Sequence, residues 1–428
     1  MRPPAAACDA RMSDRKPPGR LRQVLALGST QTLAWASSTY LPAILALPIA
    51  RDLDISRSTV FGAFSVSLVV MALAGPAVGR TIDRNGGRGV LASSNLVLAA
   101  GLVLLGLASN VALLFAAWCV LGLGMAMGLY DAAFATLVRL HAHAAREPIT
   151  GITLIAGFAS TVGWPLTAYV AEHFGWRASA FVWAALHLCV ALPLNLSCIP
   201  SVSRSTQRPD GAAPNTQPAP DTSSDPQRMR RHERRAFLLL ALFAAFTSFV
   251  TSAMAAHLPG LLLAAGASGV TALTASTLLG PAQVAARVLE FMAARRYRFH
   301  PLLSARIATA LHPIGGLAVG IFGGVPLAAS GFALLHGAGN GMITIAKGTL
   351  PLAVFGPGGY GFRQGLLNAL ARGMQAIAPF VFGLVLDVYG VRLAIGVSAG
   401  LSLLALSALL ALHKESDDSL SGKTAIVY

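Results

Sequence analysis

Charged residues make up only 11% of this 428-residue chain, whereas 55% of it is hydrophobic. An ordinary soluble domain carries about a quarter charged residues, so the shortage excludes a large soluble body. Cysteine is equally sparse: Cys8, Cys119, Cys189 and Cys198 have no metal or redox spacing and read as small packing residues. Histidine offers no metal site either: His141 and His143 form a His-x-His pair beside a cytoplasmic loop and are not read as metal ligands. An H-E-x-x-H helix and a phosphate-binding glycine loop with its lysine are both missing. No metal, cofactor or enzyme activity is therefore expected, and without a nucleotide site the energy source should be an ion gradient.

What the chain has is apolar length. Apolar runs of about 18 or more residues recur, each able to cross a hydrocarbon layer of about 30 Å as a helix. Twelve are expected, at 23–47, 58–79, 90–108, 111–137, 148–171, 177–199, 236–262, 267–293, 301–322, 325–349, 362–386 and 391–412. The fold class is an all-α integral membrane protein, with twelve transmembrane helices in two pseudo-symmetric six-helix bundles.

A net charge of +15 at pH 7 could point to nucleic acid, but its distribution argues against such a partner. With the N-terminus inside, 24 of the 32 Lys and Arg fall in cytoplasmic tails and loops, and only Arg51, Arg57, Arg177 and Arg392 fall opposite. That asymmetry orients membrane proteins. It places both termini in the cytoplasm of a multi-pass protein of the cell's inner (plasma) membrane. The apolar run after the basic tail lacks a small-residue cleavage site, so it reads as an uncleaved span, with Met1 or Met12 as the start.

Residues 1–22 form a cytoplasmic tail, 23–199 the first bundle, 200–235 a polar cytoplasmic linker, 236–412 the second bundle and 413–428 a second tail. The linker is too polar to fold, and its basic end, Arg228 to Arg235, suits anionic lipid headgroups. Short matches relate the halves. Gly75-Pro-Ala recurs as Gly280-Pro-Ala, and Glu172-His-Phe-Gly-Trp-Arg177 as Asp387-Val-Tyr-Gly-Val-Arg392. Duplication of one six-helix unit is the expected origin.

Between the second and third spans lies Gly79-Arg-Thr-Ile-Asp-Arg-Asn-Gly-Gly-Arg88. Gly86 and Gly87 tolerate the backbone angles of a tight turn. Asp83 can accept the free N–H groups at the start of another cytoplasmic helix, and Arg84 and Arg88 supply inside-positive charge. The spacing of Gly79, Asp83, Arg84, Gly86 and Arg88 resembles the helix 2–3 signature of the major facilitator superfamily, and the resemblance covers essentially the whole chain. It implies two bundles rocking about a central site, with Asp83 closing the cytoplasmic side against the start of helix 11, at Gly356-Pro-Gly-Gly-Tyr-Gly361.

Within that superfamily, Trp35-Ala-Ser-Ser-Thr-Tyr40, Gly62-Ala-Phe-Ser65 and Arg146-Glu-Pro-Ile-Thr-Gly151 are similar to the monocarboxylate-transporter group and its bacterial relatives. That group carries Asp and Arg one turn apart in helix 8. Here Gln283 replaces the Asp and Arg287 is retained. The resemblance implies a substrate carboxylate on Arg287, with Tyr40 as a further contact, but takes away proton coupling at position 283.

An ionisable residue inside a span is costly and by default functional. At 1.5 Å per residue Arg372 counts to about 15 Å from the cytoplasmic face, with Asn368 and Gln375 on nearby turns and Gln31 at similar depth. These are the expected anion contacts. Asp131, Arg287 and Lys347 count to the cytoplasmic third, and Asp131 is expected to pair with Lys347 or Arg287 across the halves as a gate. Glu290 is either a boundary salt bridge or a proton carrier. The expected function is a monomeric secondary transporter of a small organic anion, a monocarboxylate, moved with or against protons through membrane lipid. The alternative is an exporter of drugs or other toxic compounds, although Trp118 stands where such antiporters usually carry an Arg.

Overall fold

The computed structural model describes residues 19–200, 226–297 and 299–420. Cys8, both candidate start residues, the linker from 201 to 225 and the tail from 421 lie outside them. All regular elements among the described residues are helical. The first half runs through α1 (Arg20–Ser37), α2 (Leu41–Asp52), α3 (Arg57–Asn85), α4 (Gly87–Gly106), α5 (Val111–Gly128), α6 (Tyr130–His141), α7 (Arg146–Ala156), α8 (Ala159–Phe174), α9 (Trp176–Leu186) and α10 (Leu192–Cys198). The second runs through α11 (Pro226–Ala264), α12 (Gly269–Thr277), α13 (Leu279–Tyr297), α14 (Pro301–Phe322), α15 (Pro326–Phe355) and α16 (Tyr360–Leu420).

Among the described residues, eight helical stretches are long and apolar enough to cross a membrane. Two of them, Val111–Phe174 with 64 residues and Tyr360–Leu412 with 53, far exceed the roughly 20 residues of one crossing. Five expected spans, at 23–47, 111–137, 148–171, 177–199 and 267–293, each fall on two consecutive helices. The last break has a direct cause. Pro281 stands in the first turn of α13 and has no N–H to continue the ladder from α12. Backbone groups freed at such breaks need other partners inside a membrane, and one of those partners becomes part of the site below.

One of the two short sequence repeats has a local geometric counterpart. Gly175, between α8 and α9, and Gly390, within α16, both take positive φ, at 86° and 82°. The acid-x-aromatic-Gly-x-Arg pattern therefore makes the same turn twice. Ser56 caps α3 by accepting the Thr59 N–H at 3.1 Å, and Ser268 caps α12 by accepting the Thr271 N–H at 3.1 Å.

Two expected boundaries move. Residues 226–235, read as the end of the linker, are helical and continuous with α11, because Arg, Met, Gln and Glu are good helix formers and need not be buried to extend an existing helix. The helix α16 likewise runs to Leu420, past the expected end at 412.

Burial divides the molecule into clusters. Leu45, Ile49, Leu105, Trp118 and Trp183 pack within the first half, and Leu258, Leu261, Phe332 and Phe382 within the second. Leu240, Phe243, Ile343 and Leu409 form another cluster confined to the second half. A fourth cluster crosses between them: Ile82, Phe134, Ile149 and Ile199 meet Leu352 and Tyr360. Ile199 directly precedes the linker, so this apolar junction marks what is called below the linker side.

Candidate functional site

The linker side is closed by a seam of bare backbone. Gly75 and Gly79, one turn apart on α3, lie against Gly361 and Gly365, one turn apart on α16. A Cβ on Gly79 would overlap the Gly361 carbonyl, and one on Gly365 would stand 2.5 Å from the Gly75 carbonyl oxygen. At the end of this seam Asp83 accepts the N–H of Gly361 on Oδ1 and of Phe362 on Oδ2, each at 2.8 Å. These are first-turn donors of α16 with no partner in their own helix, at the positive end of its dipole. Arg80 lies over the Phe362 ring at 4.8 Å, and Tyr360 donates its hydroxyl to the Gly348 carbonyl at 2.6 Å.

Of the expected gate residues, Gly79 and Asp83 meet the other half directly. Gly86 ends α3 with φ 81°, which lets the chain turn sharply into α4. Arg84 is exposed and Arg88 half-buried.

Deeper in, Asp131 stands in the first turn of α6. Its Oδ1 accepts from Asn368 Nδ2 at 2.7 Å, and its Oδ2 pairs with Arg372 Nη2 at 3.6 Å. Arg372 Nη1 donates to Gln375 Oε1 at 2.8 Å. Residues 368, 372 and 375 recur at helical spacing and so share one face of α16. An ion pair across the halves is therefore present, but the partner of Asp131 is Arg372, not Lys347 or Arg287. The reason lies in where the other cations turn. Lys347 Nζ donates to Ser248 Oγ at 2.8 Å, within electrostatic range of both Asp131 and Arg372.

Arg287 holds backbone. Its Nη1 donates to the Thr153 carbonyl of α7 at 3.1 Å, its Nε to Gly341 of α15 at 3.3 Å, and its Nη2 reaches Thr344 Oγ1 at 3.5 Å. Thr153 lies in the last turn of α7, just before the break at Gly157, where the negative end of a helix favours a cation. A Cβ on Gly157 would come within 2.8 Å of Arg287 Nη1. Arg287 is also within electrostatic range of Tyr40 and Tyr130. Tyr40 belongs to a row of rings, 5.9 Å from Trp164 and 6.2 Å from Trp35, which in turn lies 4.9 Å from Tyr130. Gln31 donates through Nε2 to the Gly128 carbonyl at 2.5 Å, at the break between α5 and α6.

The arrangement brings Arg372 and Lys347 to the carboxylate of Asp131. Gln31 Oε1, Trp35 Nε1, Gln364 Oε1 and Arg372 Nε are buried without a hydrogen bond among the described residues. Tyr130, Ser248 and Gln364 escaped the sequence reading. The position of Tyr130 beside Asp131 was a usable signal, whereas nothing distinguishes Ser248 from other hydroxyls in apolar spans.

Elsewhere, His141 Nε2 lies 2.8 Å from Gln23 Oε1. Among the described residues no group of three or more His, Cys, Asp or Glu could hold a metal ion. The letters Gly396-Val-Ser398-Ala-Gly400 spell the serine-elbow pattern, but they lie inside α16 rather than on a strand-to-helix turn, so no elbow forms.

A family model described as Major Facilitator Superfamily matches residues 27–329. Among solved structures, FucP, a major facilitator superfamily transporter in the outward conformation, aligns with a TM-score of 0.69 and 16% identity, covering 92% of this chain and 99% of that one. The human organic anion transporter MFSD10 (TETRAN) aligns at 0.67 and 16%, covering 92% and 100%. The proton:xylose symporter XylE, bound to 6-bromo-6-deoxy-D-glucose, aligns at 0.66 and 13%, covering 92% and 96%. At these identities the likeness is one of fold. No curated protein matches the chain.

Proposed function

The chain belongs to the Major Facilitator Superfamily, a family of membrane transporters and not enzymes, and we propose that it moves a small organic anion, a monocarboxylate, by alternating access driven by a proton gradient. The observation that carries this reading is the charge of the central site. Two cations, Arg372 and Lys347, stand at the Asp131 carboxylate, and Arg372 keeps an unused Nε donor. Cations inside a membrane need compensating charge, and a carboxylate that meets a guanidinium gains a charge-assisted hydrogen bond.

In this reading Arg287, Arg372, Gln31, Asn368, Gln375 and Tyr40 line the substrate path. Gly79, Asp83, Arg84, Gly86, Arg88, Asp131 and Lys347 belong to the gate. The linker side is the cytoplasmic side, which follows from its basic loops, so the Asp83 clasp belongs to a conformation closed toward the cytoplasm. The chain makes twelve crossings in two six-helix bundles, joined by the segment around 200–225, works as a monomer among lipids, and sits in the inner (plasma) membrane with both termini cytoplasmic. The similarity of the Trp35–Tyr40 stretch and of Arg287 to the monocarboxylate-transporter group supports the substrate class.

The test is uptake into liposomes holding the purified protein, using a panel of labelled carboxylates with and without an inward proton gradient. Carboxylate uptake that rises with the gradient is expected. Absence of carboxylate flux, with drug hypersensitivity on deletion, would replace this reading with the drug exporter.

A further inference from the structure

Glu290 lies on α13 three residues after Arg287, a spacing that puts both side chains on neighbouring positions of one face. It is only 6% exposed. Its Oε1 accepts from Ser304 Oγ on α14, whereas its Oε2 is buried with no hydrogen bond among the described residues. Two cations stand within electrostatic range: Arg287 on the same helix and Arg146 on α7 of the first half. Arg146 is fixed in place by Phe299, whose carbonyl accepts from Nη1 at 2.7 Å and whose ring lies 5.6 Å beneath the guanidinium. From α15 the uncharged Thr344 reaches Arg287. The Glu147–Arg295 ion pair, at 3.3 Å and exposed at both ends, ties the same two helices together. A buried carboxyl with one idle oxygen therefore sits where α13 and α14 meet α7 of the opposite half.

We propose that Glu290 carries the transported proton. This rests on the reading of the chain as a proton-driven carrier of organic anions. The physical argument is charge balance in a medium of low dielectric constant. Arg146, Arg287 and Glu290 together hold one net positive charge. A carboxylate arriving at Arg287 and a proton arriving at Glu290 Oε2 leave that sum unchanged, while either alone changes it by a full unit, at a cost that low dielectric makes large. Each ligand thus favours the other, as reciprocal linkage requires. In the proton step an O–H bond forms at Oε2 as one breaks in a hydronium ion, leaving water, and release reverses it. Neutral Glu290 also ceases to attract Arg146, so loading with both ligands loosens the contact between α13 and α7 on the linker side.

The experiment uses the full-length protein in liposomes and a labelled carboxylate that the unmodified protein transports. Two rates are compared: net uptake driven by an inward proton gradient, and exchange of internal for external substrate at equal pH. Glu290→Gln is expected to lose net uptake by about 30-fold or more, which corresponds to about 2 kcal/mol, while its exchange continues and no longer varies with pH. In Ser304→Ala the pH profile for net uptake is expected to move toward higher pH, because the hydroxyl bonds to the charged form of the carboxyl. Gradient-driven uptake by Glu290→Gln with an unaltered pH profile overturns the assignment. If that variant does not fold, an unshifted profile in Ser304→Ala overturns it instead. Absence of carboxylate flux in the unmodified protein overturns the substrate reading and this proposal together, so the two failures are distinguishable.

Discussion

Replacing Asp83 by Asn tests the clasp with the smallest change of shape. The carboxylate accepts two α16 backbone N–H groups at 2.8 Å, one on each oxygen. Hydrogen bonds to a charged group contribute about 1.5 to 3 kcal/mol each and neutral ones about 1. At the lower end the pair gives about 3 kcal/mol, of which an Asn, with one acceptor, keeps about 1. The loss of about 2 kcal/mol shifts the balance between linker-side-closed and linker-side-open forms about 30-fold. A probe is available in Leu352, which is 5% exposed and packs in the cluster that joins the halves. With Cys8, Cys119, Cys189 and Cys198 replaced by Ser, Leu352→Cys should be alkylated from the linker side about 30-fold faster when Asp83 is Asn. An unchanged alkylation rate, in protein that inserts normally, would refute the clasp.

The glycine seam makes a second prediction. Gly79→Ala forces α3 and α16 apart at a cost of about 1 to 3 kcal/mol, so the same Leu352→Cys reporter should react faster and transport should fall, whereas Gly373→Ala, where an added Cβ meets nothing within 4 Å, should leave both unchanged. The pairing in the centre gives a third. Asp131→Arg should lower the thermal stability of the purified protein, and Arg372→Asp should partly restore it, with a coupling of about 1 kcal/mol or more, whereas Lys347→Asp should not; restoration by the lysine variant would reinstate one of the two pairings expected from the sequence.

The loop signature around Asp83 was legible because it depends on chemistry local to a few residues. A carboxylate, two glycines and a turn have to occur together, and the donors they need begin any helix. Arg372 with Asn368 and Gln375 was legible for a similar reason, since ionisable and amide groups are rare in apolar spans and helical spacing tells which share a face. The partner of Asp131 was not. Depth counted along a helix places a residue along the membrane normal but says nothing of rotation about the helix axis, and rotation turns Lys347 toward Ser248 and Arg372 toward Asp131. The breaks at Leu129 and Leu278 were hidden for the opposite reason: apolar residues continue across them, so hydropathy reads one span where the backbone makes two helices. The burial of Glu290 beside Ser304 depends on α14, fourteen residues on, and no local pattern announces it.

Transport of an organic anion as proposed requires a contact at Arg372 on the path that also passes Arg287. The most direct measurement is equilibrium binding of a transported, labelled carboxylate to the purified protein, compared between the unmodified chain and Arg372→Gln. Loss of one charge-assisted hydrogen bond, about 1.5 to 3 kcal/mol, predicts an affinity lower by about 10-fold or more. Equal affinity in a folded Arg372→Gln protein would contradict the account.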